Sequence, residues 1–238
     1  RSRQRVRGAV HRLLTSLLPV TDALDEDTRK KYGVLDMQRA VQVIASRSTR
    51  TDVFMREELL GKSFAWVVLI DASRSMGPLG DETRDICVCL TDCLGKLMRD
   101  PGSWAIYAFN DRFLVLKDAK ETYSRAVKAR LGGLKFEGPT YMPDALKLTG
   151  EILKRRTESL RLLVVVSDGW PYGYLDITDT LTETLSYLGK AQITVIGIGV
   201  NSNRMKKFFR LNCNIKEPQD IDKKIPPLYS VVSRAIVG

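Results

Sequence analysis

Three short stretches of nearly unbroken apolar sequence constrain this chain more than anything else in it: Phe64 to Ile70, Leu160 to Ser167 and Ile193 to Ile198. Each is rich in β-branched residues and shorter than a typical buried helix, which is how a strand covered on both faces of a parallel sheet reads. Helical periodicity fills the intervals. Ile86, Leu90, Leu94 and Leu97 mark one face of a helix over 81–99, and further helices are expected near 122–131, 143–155 and 178–188. Trp104 to Phe109 and Phe113 to Lys117, separated by Asn110-Asp111-Arg112, predict a hairpin. A short helix around 204–209 and a last one over 221–236 complete the pattern. Strands and helices alternating in this way predict an α/β fold, a doubly wound, mostly parallel central sheet with helices on both faces and right-handed crossovers.

The first 62 residues follow a different grammar. Val6, Val10, Leu13, Leu14, Leu17 and Leu18 predict an amphipathic helix that ends at Pro19, and Leu35, Ala40, Val41 and Ile44, with Asp36 as N-cap, predict a second. The expected division is a helical extension over 1–62 and an α/β domain over 63–238. Composition matters here because 38 Lys and Arg against 28 Asp and Glu leave a net charge of +10, which invites a nucleic-acid or membrane reading. The excess is spread along the chain: residues 1–62 hold 13 basic and 8 acidic side chains. Arg1, Arg3, Arg5, Arg7 and Arg12 read as the solvated face of the first helix, and only Tyr32 precedes Phe54 among the aromatics, so platforms for stacking bases are missing. No apolar run approaches the ~20 residues that span a bilayer. Nucleic acid and membrane are therefore not expected as partners.

Four cysteines are too few for a disulfide framework at this length, and no leader is visible, so a reducing, cytoplasmic setting and a piece of a longer protein are expected. Cys87, Cys89 and Cys93 read as core packing. His11 is the one histidine, which leaves a Ser-His-Asp triad without a base unless His11 reaches it. The glycines at 132–133 and at 197 and 199 do not follow the dinucleotide-binding pattern.

In open α/β sheets, ligands bind beyond the carboxyl ends of the strands. Asp71-Ala72-Ser73-Arg74-Ser75 follows the first apolar run, Ser167-Asp168-Gly169 the second, and Gly138-Pro139-Thr140 lies between. All three supply hard oxygen atoms and none supplies His or Cys, which is ligand chemistry for Mg²⁺, Mn²⁺ or Ca²⁺ and not for zinc. Asp71, Ser73 and Ser75, two apart in a tight loop, can aim at one point while Arg74 turns away, and Thr140 and Asp168 can close the ring. Tyr141, Trp170, Pro171 and Tyr172 flank these loops as a candidate partner rim.

The sequence Asp71-Ala72-Ser73-Arg74-Ser75, with Thr140 65 residues beyond Ser75 and Asp168 28 further on, resembles the metal-ion-dependent adhesion site of von Willebrand factor A domains over roughly residues 63–215. The resemblance implies the Rossmann-like von Willebrand A fold, with Asp71, Ser73 and Ser75 touching a divalent ion directly or through water, Thr140 joining in the liganded state and Asp168 acting mostly through water. It also implies Mg²⁺ as the ion, with Mn²⁺ or Ca²⁺ as alternatives, and a protein partner that completes the shell with an Asp or Glu carboxylate. Arg74 and Pro139 stand where many relatives carry Gly. Tyr32 to Asp36, Val53 to Arg56 and Ser63 to Ala65 are similar to an intracellular branch that includes the nitric-oxide-reductase activation protein NorD, the rubisco activation protein CbbO and the cobaltochelatase subunit CobT. That likeness implies a non-enzymatic adaptor for a MoxR-type AAA+ ATPase that activates or remodels a target protein, or alternatively a subunit of a cobalt or magnesium chelatase. A hydrolase is disfavoured because only carboxylates remain to activate water.

Overall fold

Helix α1 (Ser2–Asp25) opens the chain, and β1 (Thr28–Lys30), β2 (Val34–Leu35) and β3 (Phe54–Met55) form a small antiparallel sheet with β3 in the middle. The computed structural model describes residues 2–25, 28–30, 34–35, 41, 43, 45–46, 54–55, 64–98, 100–169, 172 and 175–237. Two expectations change in this region. Helix α1 does not stop at Pro19 but runs on to Asp25, because the fixed φ of proline is itself helical and the cost falls on one lost hydrogen bond and local crowding. Leu35 lies in β2 and not in a second helix; Val41 is helical, while Asp36, Ala40 and Ile44 lie outside the described residues.

The main sheet is built as the apolar runs predict. Strand β4 (Phe64–Asp71) is followed by α2 (Gly80–Leu97), β5 (Trp104–Phe109), β6 (Phe113–Lys117), α3 (Arg125–Gly132), α4 (Met142–Lys154), β7 (Leu160–Ser167), α5 (Ile177–Lys190), β8 (Ile193–Val200), β9 (Leu211–Ile215) and α6 (Ile221–Val237). The strand order is β6-β5-β4-β7-β8-β9, parallel throughout except for the β5–β6 hairpin at one edge. Side chains of β4 alternate between two cores: Trp66, Val68 and Ile70 pack with α1, α2, α3 and α6, while Ala65, Val67 and Leu69 pack with α4 and α5. Burial on both faces explains why β4 and β7 lack the polar alternation of a half-exposed strand. The helix after β4 therefore covers one face and the helix after β7 the other. That reversal between adjacent strands opens a crevice at their carboxyl ends.

Strand β9 departs from expectation. Its sequence, Leu211-Asn212-Cys213-Asn214-Ile215, carries two asparagines that weaken any strand signal, but the alternation fits an edge strand with one face on the core. Residues 204–207 form a 3-10 turn in place of a helix reaching Phe209.

Helix α1 is built into the same core as the sheet. Val6, Ala9, Val10, Leu13 and Leu17 are buried against α2 and α6. Two of the arginines read as solvated are docking groups: Arg5 pairs with Asp85 at 2.8 Å and Arg12 pairs with Asp222, both acceptors nearly buried. His11 sits on the exposed side of the helix. Cys87, Cys89 and Cys93 are buried in α2, and burial pushes the Cys89 and Cys93 thiols up to about 12, so they serve as packing groups.

A bulge at the hairpin places two consecutive residues, Leu116 and Lys117, in the interior. The Lys117 ammonium donates to the carbonyls of Pro101 (2.9 Å), Trp104 (2.6 Å) and Asp118 (3.2 Å) and lies 4.5 Å from the centre of the Trp104 ring. Burial lowers its pKa to about 8, so carbonyl dipoles replace water around the charged form.

Candidate metal centre

Asp71 is the last residue of β4 and fully buried. Its neighbour across the sheet fixes its orientation: the Ser167 hydroxyl, at the end of β7, donates to Asp71 Oδ2 at 2.7 Å, and the Ser73 amide donates to Oδ1 at 2.9 Å. Gly169 N in turn donates to Ser167 Oγ at 2.9 Å. The backbone then turns at Ser73 (φ −70°, ψ 165°) into a 3-10 turn over Arg74–Leu79, which brings the Ser73 and Ser75 hydroxyls within 3.1 Å of each other. Ser73 is buried and Ser75 exposed, so the pair runs from the interior to the surface.

The other two loops are tied to this one by backbone bonds. Arg74 N donates to Gly138 O (3.0 Å) and Glu137 N to Ala72 O (2.9 Å), which holds the segment carrying Thr140 against the 71–75 loop. Thr140 is buried, and its carbonyl accepts from Tyr172 N at 3.3 Å. Asp168 is 7% exposed, its amide donating to Met76 Sδ at 3.1 Å. The five residues singled out from the sequence thus come together from three loops. Arg74, Ser75, Thr140 and Tyr172 line an open cleft of about 330 Å³ in front of them.

Burial is the largest influence on Asp71 and pushes its carboxyl up to about 6; its two serine neighbours oppose the shift and the charge of Asp168 adds to it. Two carboxyls held together out of water, with hydroxyls beside them, fit a hard divalent cation, because the cation offsets the cost of both. Among the described residues no group of three or more His, Cys, Asp or Glu side chains that could hold a metal ion stands together; the oxygen atoms gathered here are those of two carboxyls and of hydroxyls.

The roles of three supporting residues are visible only in the structure. Ser167 and Met76 hold Asp71 and Asp168 through partners 96 and 92 residues away, for which no local pattern exists. Asn110, read as a turn residue, is buried: its side chain accepts from Arg112 N (2.8 Å) and donates to Glu137 O (2.9 Å), so it clamps the hairpin to the Thr140 segment. Of the aromatic rim, Tyr141 and Tyr172 are exposed, 36% and 67%, while Trp170 and Pro171 lie outside the described residues.

Two glycines make the rear wall. Gly169 adopts φ +74°, and a Cβ there would stand 2.9 Å from Met205 N. Gly199 on β8 pairs in register with Ser167, and a Cβ on it would overlap the Ser202 carbonyl. The turn after β8 therefore packs directly behind the Asp168 loop.

Replacing Ser167 with Ala removes the donor to Asp71 Oδ2 and the acceptor for Gly169 N. Divalent-cation affinity measured by titration calorimetry is expected to fall about 10- to 100-fold, as for other groups that orient metal ligands.

No protein-family model matches the sequence. An uncharacterized protein of Pseudomonas aeruginosa is 28% identical over 158 aligned positions, covering 58% of this chain; the chain spans only 26% of that relative's length. Among solved structures, a von Willebrand factor type A protein from Catenulispora acidiphila superposes with a TM-score of 0.55 at 17% identity, over 72% of this chain and 43% of that one. Manganese-loaded TRAP protein of Plasmodium vivax gives 0.54 at 17% identity, over 70% and 73%. Proximal thread matrix protein 1 from the mussel byssus, with a zinc-occupied metal-ion-dependent adhesion motif, gives 0.56 at 14% identity, over 71% and 48%. The six-stranded sheet and its helices therefore have the von Willebrand factor A fold.

Proposed function

We propose that this chain is a metal-dependent protein-recognition module in which Asp71, Ser73, Ser75, Thr140 and Asp168 hold a divalent cation, Mg²⁺ in the first place, and a partner's Asp or Glu carboxylate completes its shell. The observation that carries this reading is that two buried carboxyls and the Ser73 hydroxyl are held together behind Ser75 and Thr140, which line an open cleft. Manganese in one structure of the same fold and zinc in another support a divalent ion.

The ion, when bound, supplies an electrophilic site for an incoming carboxylate. Everything else is done by the chain. Ser167 and the Ser73 amide fix the Asp71 carboxyl, Met76 fixes the Asp168 backbone, and the Gly138 carbonyl holds the Arg74 backbone so that Ser75 faces the cleft. Tyr172 and Tyr141 flank the opening as apolar contacts for the partner. Among the described residues no histidine or cysteine joins the hydrogen-bond network of Asp71, which favours ligation without turnover. The likeness of the upstream motifs to the intracellular branch supports a cytoplasmic adaptor working with a MoxR-type AAA+ ATPase that remodels a target.

The test is capture of a purified MoxR-type AAA+ ATPase by immobilised full chain. Capture is expected in Mg²⁺ and lost on chelation; equal capture under both conditions overturns the reading.

A further inference from the structure

Beside the cleft that holds Ser75 and Thr140 lies a second, larger one of about 750 Å³, and Arg74 and Gly138 line both. Its floor is edge strand β6, whose consecutive residues Leu114, Val115 and Leu116 all contribute, and Leu134 forms the opposite wall. Consecutive residues on one wall mean that the groove runs along the strand edge, since alternate side chains point to opposite faces. Three residues of strand give it about 10 Å along β6.

Basic side chains outnumber acidic ones along this groove, four to two. Arg74, Arg112 and Lys135 are exposed and enter no ion pair among the described residues, and Arg130, a fourth basic lining group, is already engaged with Glu121. The acidic lining groups are Asp111 and Glu137. An apolar floor under an excess of basic groups fits an extended chain that alternates acidic and apolar residues. The lining contains no aromatic residue, so bases would find nothing to stack on.

We propose that this groove receives an acidic, extended peptide segment of the partner, continuous with the residue whose carboxylate reaches the metal centre. The inference rests on the metal-dependent reading given above and adds to it a second, metal-independent contact.

The test uses the full chain and a fluorescein-labelled twelve-residue peptide of alternating Glu and Val, read by fluorescence anisotropy with Mg²⁺ and after chelation. Paired probes are the alternating Gln and Val peptide and a twelve-nucleotide oligouridylate. The Glu peptide is expected to bind and the Gln peptide not. The double variant Arg112→Glu/Lys135→Glu is expected to weaken binding about tenfold or more under both conditions, leaving Mg²⁺ affinity by calorimetry unchanged. Arg112→Gln/Lys135→Gln, which keeps the fold under milder change, is expected to fall between. If chelation releases the peptide but neither double variant weakens it, the groove is overturned and the metal reading stands. If the variants weaken it but chelation does not, the groove stands and the metal reading falls. Absent binding of the Glu peptide, or equal or tighter binding of the Gln peptide or the oligouridylate, overturns the groove.

Discussion

Asp71→Asn is expected to abolish divalent-cation binding and, in the same protein, to stabilise the metal-free fold at neutral pH. An ordinary surface ligand would give only the first effect. The second comes from burial, which raises the Asp71 carboxyl from 3.8 to about 6. A carboxyl whose folded pKa lies above its unfolded value is easier to ionise in the unfolded chain. Below about pH 4 it is protonated in both states and costs nothing. As pH rises through about 6 the folded state acquires an unfavourable buried charge, worth on the order of 2–3 kcal/mol above that range. Asparagine keeps an acceptor for the Ser73 amide and carries no charge. Urea unfolding of the metal-free proteins should therefore show variant and wild type converging near pH 4 and separating between pH 4 and 6, with the variant more stable. Saturating Mg²⁺ should close the gap by stabilising the wild type alone, by about 2.7 kcal/mol at a hundred times the dissociation constant. A gap that does not change with pH would mean that the Asp71 charge is not the cause, and retained cation binding would place the ion elsewhere.

Lys117→Ala is expected to cost about 3–5 kcal/mol in the same experiment, among the largest losses available at a single position. The substitution leaves a cavity where a four-carbon stem lay and strips donors from the carbonyls of Pro101, Trp104 and Asp118. Lys117→Met separates the two contributions, because it refills the cavity and removes only the ammonium. It is expected to cost less than half as much, since the lost bonds are partly offset by no longer burying a charge. Equal losses for Ala and Met would assign the effect to hydrogen bonding and not to packing. The loss has a functional consequence, because Lys117 anchors the end of β6 and with it the floor of the basic groove.

The parts of this structure legible in the sequence are those written locally. Strand β4 announces itself through seven apolar residues, and the oxygen donors follow within five positions. Strand β9 was illegible because Asn212 and Asn214 speak against a strand when read alone; pairing with β8 decides the matter. The end of α1 was misplaced because Pro19 is a helix breaker in propensity but is carried along by a helix whose earlier residues are buried. Ser167 was in view beside Asp168, yet its role depends on register: Ile70 pairs with Val166, which brings the next residue of each strand together. Roles of that kind belong to the sheet and not to any window of sequence. The five candidate ligands were legible as donors, while the hydrogen bonds that aim them were not.

If the site holds a cation as proposed, the two glycines behind the Asp168 loop set how it would respond to ions of different size. With the Ser202 carbonyl pressed against Gly199 and the Met205 backbone against Gly169, the rear of the site has no room to retreat. The front, where Ser75, Tyr141 and Tyr172 are exposed, faces solvent. On the proposed metal-dependent reading, a larger cation would sit further toward the opening, so ionic radius would govern how far it projects from the surface and how easily a partner reaches it.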